Sequence, residues 1–263
     1  MDIAQERLKR TALLLDSERM ERLRNAHVLL FGLGGVGSYA AEALARLGIG
    51  HLTIVDNDTV APSNLNRQLP ALESTVGQQK TDVVAARLRD AAPGMRITTV
   101  NAFYLPENPV EIPADCTVVL DAIDTVSAKL HLAEVCYGRG IPLVSCMGMG
   151  NRLDPTQIRI GDLYDTKDCR LCRVMRQQLR KRGVPALRCV YSLEKAKIPT
   201  PSPEDEAETK ATGRVAPGSV SFVPSVAGLY LAYEAARIIW EGNKINDENP
   251  RDRNDSAAIT RFY

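Results

Sequence analysis

His27-Val-Leu-Leu-Phe31 runs straight into Gly32-Leu-Gly34-Gly35-Val-Gly37, and Ser38–Leu47 then carries Ala41, Leu44 and Leu47 at helical spacing before Gly48. A short apolar run closed by glycines and followed by a 3.6-residue period predicts a strand, a tight turn and a helix. Glycine lets the backbone turn sharply and approach a ligand. The free N–H groups and the helix dipole behind it attract phosphate. Asp56 ends the next predicted strand, Leu52-Thr-Ile-Val55, where a carboxylate can accept ribose hydroxyls. This set fits NAD, FAD or ATP; the plain alternative is a tight turn that binds nothing.

The same alternation continues outward. Thr81–Ala92 reads as a helix stopped by Pro93-Gly94, and Val126–Gly138 as another. Arg96–Val100, Thr117–Leu120 and Pro142–Ser145 read as strands. Strands and helices at this spacing predict βαβ units: an α/β, Rossmann-like, doubly wound and mostly parallel sheet with helices on both faces. Asp168–Arg182 reads as a basic helix and Ser225–Trp240 as an apolar one. Residues 198–213 mix Pro with charge and are expected to form a mobile surface loop. The expectation is one domain over 1–240 and a polar tail over 241–263.

Composition narrows the classes. The 263 residues hold 33 Lys plus Arg against 32 Asp plus Glu, so any basic surface must be local. The longest uncharged stretch, Val215–Tyr233, contains two Pro and two Gly and makes a poor bilayer span, so no membrane partner is expected. With no basic, apolar leader at Met1–Asp16, the six cysteines read as reduced thiols in a cytoplasmic protein.

Residues after the acidic strand end separate the nucleotides. A hydride-transfer enzyme has no need of Asn64-Leu-Asn66-Arg67-Gln68, nor of Lys80 at the next helix start. Two cations beside a glycine turn suit a triphosphate, because they neutralise charge on departing pyrophosphate. Taken singly, each also reads as a solvated surface residue. Asp121 and Asp124 end another parallel strand, where a carboxylate can hold Mg2+ against phosphate or cap a helix.

The series Gly32–Gly37, Asp56, Ser63–Gln68, Lys80 and Asp124 resembles the adenylating domain of ubiquitin-activating enzymes and their bacterial relatives in thiamine and molybdopterin synthesis. The resemblance implies ATP-dependent adenylation of a carboxylate with release of pyrophosphate. It implies nucleotide contacts from Gly32, Gly34, Gly35, Gly37, Asp56, Ser63, Asn64, Arg67, Gln68, Lys80, Asp124 and Thr125. Arg67 and Lys80 would face the phosphates and Asp124 would ligate Mg2+, with a monovalent cation as a further candidate. Arg10-Thr-Ala-Leu-Leu-Leu15, Gly148-Met-Gly150 and Val190-Tyr-Ser192 are similar to the branch of that family that modifies tRNA. That branch is implied to adenylate the threonyl carboxylate of a modified adenosine beside the anticodon, after which a ureido nitrogen closes a hydantoin ring and expels AMP. Its members are implied to be homodimers in which an arginine, here Arg10, reaches the neighbouring subunit's ATP, with a sulfur-transfer protein as a candidate partner. The alternative within the family is activation of a ubiquitin-like sulfur carrier.

Cys169-Arg-Leu-Cys172 invites a zinc reading, but tetrahedral zinc wants four ligands and no second pair exists, so no zinc is expected. Cys189 reads either as a thioester nucleophile or as a thiol leading a partly buried strand. Arg173, Arg176 and Arg180 share one helical face in a run without acids, a candidate footprint for the tRNA backbone or a solvated face.

Overall fold

A computed structural model describes residues 3–167, 169–200 and 217–242. Three helices precede the first strand: α1 (Ile3–Glu6), α2 (Lys9–Ala12) and α3 (Ser17–Asn25). Asp16 caps α3 by accepting the Arg19 N–H at 2.8 Å. Then come β1 (His27–Phe31), α4 (Gly37–Leu47), β2 (His51–Val55), α5 (Lys80–Ala91) and β3 (Arg96–Val100). β4 (Val118–Asp121), α6 (Val126–Gly138), β5 (Leu143–Cys146), β6 (Ile158–Asp162), α7 (Arg170–Lys181), β7 (Arg188–Ser192) and α8 (Phe222–Glu241) complete the order.

The seven strands lie as β3-β2-β1-β4-β5-β7-β6, all parallel except β6, which runs antiparallel to β7. One face is buried under α3, α4, α5 and α8, the other under α6 and α7. The order reverses between β1 and β4, so their carboxyl ends open onto a crevice, the place where such sheets bind ligands.

Two glycines fix close approaches that position this crevice. A Cβ on Gly37 would lie 1.8 Å from Gly32 O, and one on Gly228 would lie 2.2 Å from Val36 O. The first lets α4 start directly against the end of β1; the second lets α8 seat against the start of α4. Buried Glu234 ties α8 to the sheet, accepting from Arg188 Nε at 2.5 Å and Arg237 Nη2 at 2.7 Å. α8 is the one described helix long and apolar enough to cross a membrane by composition, and most of it is buried inside this fold. Its all-round apolarity reflects packing on α4 and the sheet.

The parallel elements stand within one to three residues of their sequence-based bounds. α1–α3 and β6 were not anticipated. β6 is a partly exposed edge strand containing Gly161, a pattern too weak to announce a strand without β7 beside it. Of the loop expected over 198–213, positions 201–213 lie outside the described residues, as does the tail from 243 onward.

Candidate nucleotide site at the crossover of the sheet

The crevice at the β1/β4 reversal opens into a cavity of about 850 Å³. Gly32, Gly34 and Gly35 line one side, with Gly32 at φ +88°, a left-handed conformation that favours glycine. A Cβ on Gly35 would meet Pro224 at 3.1 Å and the Arg67 side chain at 3.4 Å, so this residue must stay small for the walls to meet. Gly37 does not line the cavity; its part is the helix–strand approach described above.

Asp56 is engaged from two sides. Its Oδ2 accepts the Leu33 N–H at 2.6 Å and its Oδ1 the Asp58 N–H at 2.8 Å, so the carboxylate fastens the glycine turn to the end of β2. Burial raises its pKa, and those two backbone donors work against the rise. The group lines the cavity and keeps lone pairs for a ribose hydroxyl.

The segment after β2 supplies the cations. Pro62–Asn64 form a short 3-10 turn in which Asn64 Oδ1 accepts the Ala61 N–H at 3.1 Å. Arg67 bonds Ser63 O at 2.9 Å and Asn66 Oδ1 at 2.8 Å, and among the described residues no carboxylate pairs with it. Its positive charge is therefore aimed at the cavity uncompensated. Lys80 differs: it is buried, and its Nζ pairs with Asp58 Oδ2 at 2.8 Å. Gln68 is buried with its side-chain oxygen unpartnered and faces the cavity. An unpaired buried polar atom is costly, and a ligand removes that cost.

Asp124 and Thr125 reach the cavity from the β4–α6 connection. Below them lies a fully buried network. Lys129 Nζ donates to Asp121 Oδ2 at 2.9 Å and to Cys146 O at 2.7 Å. Ser145 Oγ also donates to Asp121 Oδ2, at 2.5 Å, and Asp121 Oδ1 accepts the Ile123 N–H at 3.0 Å. Asp121 is thus internal, and it sets the connection from which Asp124 projects. Asp124 is exposed, and among the described residues no cation pairs with it.

Sequence reasoning missed the far wall. Phe103 and Tyr104 after β3 offer aromatic surface, and Met149, Gly150, Pro217 and Ser219 close the opposite side. Asn151, at φ +60°, clamps that side: its N–H donates to Gly218 O and its Oδ1 accepts the Gly218 N–H, each at 2.7 Å. Asn66 Nδ2 reaches Ser219 O at 3.0 Å from across the cavity.

Other candidates fall elsewhere. Arg10 is exposed on α2, whose neighbour Leu8 packs at Gly48, the end of α4 remote from the glycine turn. α4, with eleven residues, is about 16 Å long between that end and the glycine turn. Arg176 is committed internally, bonding Thr166 O at 2.9 Å and the Thr166 hydroxyl. Arg180 lies over the Tyr164 ring, 5.2 Å from its centroid. Of the three arginines expected to face tRNA, Arg173 alone is exposed without such a partner. Cys189 is wholly buried in β7 and burial pushes its pKa up, which argues against a thioester nucleophile.

A glycine turn, a buried lysine, and an arginine and a carboxylate without ionic partners among the described residues line one cavity, and these are the features the sequence resemblance required. Residues 8–260 match the ThiF family model. The chain belongs to the ThiF family. Among ThiF-family relatives, the tRNA threonylcarbamoyladenosine dehydratase of Bacillus subtilis (strain 168) is 40% identical over 229 residues, covering 84% of this chain and 90% of the relative. The molybdopterin-synthase adenylyltransferase of Escherichia coli (strain K12) is 36% identical over 175 residues, covering 66% of this chain and 67% of its own length. The solved structure of E. coli tRNA N6-threonylcarbamoyladenosine dehydratase in complex with ATP matches with a TM-score of 0.80 at 32% identity, covering 95% of this chain and 99% of that one.

Proposed function

We propose that this chain is an ATP-dependent enzyme that cyclises threonylcarbamoyladenosine in the tRNA anticodon loop by adenylating its carboxylate. The carrying observation is that Arg67 and Asp124, each without an ionic partner among the described residues, face one cavity with the glycine turn. Relatives bearing the dehydratase name at 40% and 39% identity support this substrate.

ATP lies with its phosphates against the turn N–H groups and Arg67, and its ribose within reach of Asp56. The threonyl carboxylate oxygen attacks the α-phosphorus, and pyrophosphate leaves. Arg67 and Lys80 stabilise the charge that builds on it. The ureido nitrogen then attacks the activated carbonyl carbon and loses its proton as AMP departs with the former carboxylate oxygen. The net change in the nucleoside is loss of water.

Asp124 is a hard oxygen donor with no competing cation among the described residues, which fits Mg2+. Bound there, Mg2+ would supply charge neutralisation at the phosphates. A homodimer places Arg10 at the partner's nucleotide; this is supported by its remoteness from the cavity of its own chain and by Leu13 and Leu14 beside it, 76% and 85% exposed. The site of action is cytoplasmic.

The test is purified protein with ATP and tRNA carrying threonylcarbamoyladenosine, read by nucleoside mass spectrometry. The expected result is a nucleoside lighter by one water, with AMP and pyrophosphate formed in equal amounts. An unchanged nucleoside, together with pyrophosphate exchange driven by a carrier protein ending in Gly-Gly, overturns the reading.

A further inference from the structure

Cys169 and Cys172 do not line the nucleotide cavity. Among the described residues no cysteine joins a group with metal-ligand spacing. Their geometry is particular. Cys169 is the N-cap of α7, with extended backbone at φ −101° and ψ 120°, and its sulfur accepts the Cys172 N–H at 3.5 Å. Both are free thiols, three residues apart at the start of the helix. A disulfide needs Cβ atoms about 3.5–4.5 Å apart, and an extended N-cap brings it towards the third residue of the first turn.

The two thiols are electrically unlike. Proximity to Cys172, with help from the first-turn backbone and Arg152, pulls the Cys169 pKa down in spite of its burial. The same proximity and burial push Cys172 up. The N-cap sulfur, held by a first-turn N–H, is the nucleophile and Cys172 the resolving thiol, the division of labour that a Cys-x-x-Cys exchange centre requires. Cys146 has no such partner, and burial pushes it up to about 12. Cys169 is 4% exposed, but the exposed cations Lys167 and Arg170 stand two positions before it and one after it. They favour approach of an anionic reagent.

We propose that Cys169 and Cys172 form a reversible dithiol–disulfide couple that exchanges with low-molecular-weight disulfides. The Cys169 thiolate attacks one sulfur of the external disulfide and displaces one thiol, which takes up a proton. Cys172 then loses its proton and attacks Cys169 Sγ, displacing the second thiol. The two cysteines lose two electrons and the external disulfide gains them.

The experiment treats the full chain with excess oxidised glutathione, quenches in acid, and reads intact mass and peptide maps before and after a phosphine reductant. The wild type should lose the mass of two hydrogens, with the link mapped to Cys169–Cys172 and reversed by reductant. Cys172→Ser should stop at a glutathione adduct on Cys169, while Cys169→Ser should form neither adduct nor link at this pair. If either variant fails to fold, the wild-type map decides alone. A wild type that keeps all six thiols, a link mapped to Cys146 or Cys189, or stoichiometric zinc protecting the pair overturns the proposal.

Discussion

The two ends of the parallel strands treat polar groups in opposite ways. At the amino ends, His27 and His51 stack with ring centroids 3.6 Å apart, and three of their ring nitrogens are hydrogen-bonded. His27 bonds Asp115 at 3.0 Å through Nδ1 and Thr53 at 2.8 Å through Nε2, while His51 Nε2 bonds Thr98 at 2.9 Å. These residues, with Asp115, lie close enough to suggest a metal, but near-parallel rings send their lone pairs side by side and not to a common point. At the carboxyl ends, among the described residues, Arg67 and Asp124 have no ionic partner and the Gln68 oxygen has no hydrogen-bond partner. A fold satisfies its polar groups wherever it can. Groups left open together on one cavity therefore mark where a ligand belongs, whereas a crowded titratable cluster whose members hydrogen-bond to their neighbours marks structure.

The largest expected effect breaks the open end. Arg67→Ala and Lys80→Ala should each lower turnover about a hundredfold, or about 3 kcal/mol of transition-state stabilisation. The two should differ in stability. Arg67→Ala leaves the melting temperature unchanged, while Lys80→Ala lowers it, because the lysine is buried and paired with Asp58. Steady-state rates beside melting curves check both, and near-normal turnover in the two variants would remove the adenylation chemistry.

A smaller effect sharpens the same distinction on α7. Arg173→Gln should reduce the slope of log tRNA affinity against log salt by about 1, leaving the melting temperature alone. Arg176→Gln should do the reverse, since its guanidinium holds the Thr166 turn. Binding measured across a salt series separates them, and equal slopes in Arg173→Gln and wild type would show that face to be merely solvated.

The smallest effect belongs to the closed end. Burial and the nearby His27 hold the His51 pKa below its ordinary 6.5. As pH falls through 6.5 the unfolded chain takes up a proton that the folded chain refuses. The stability present above that pH is then lost progressively towards the lower folded-state value. His51→Gln should make this stretch of the stability curve shallower without changing turnover. Denaturant unfolding at stepped pH reads it, and an unchanged curve would show that His51 does not couple folding to protons.

The open end was legible in the sequence because its parts are local. Glycine turn, strand-end aspartate and the Ser63–Gln68 segment each lie within one βα unit, so their pattern survives without tertiary information. The wall of Phe103, Met149, Gly150 and Pro217 was not, because its members meet only after the sheet brings distant connections together. Arg176 and Arg180 show the converse. Helical spacing gave their common face correctly, but spacing says nothing of Thr166 and Tyr164, which arrive from another element and engage two of the three charges.

The buried trio of Lys129, Asp121 and Ser145 constrains how this chain can diverge. Exchanging Lys129 alone for an apolar residue strands a carboxylate in the core, at a cost of about 3–5 kcal/mol, whereas exchanging the whole ionic pair for well-packed apolar side chains is close to neutral. Single steps along that path are closed and the joint step is open. Across descendants of this sequence, positions 121 and 129 should therefore change together or not at all, leaving a correlated signature beneath a surface free to drift.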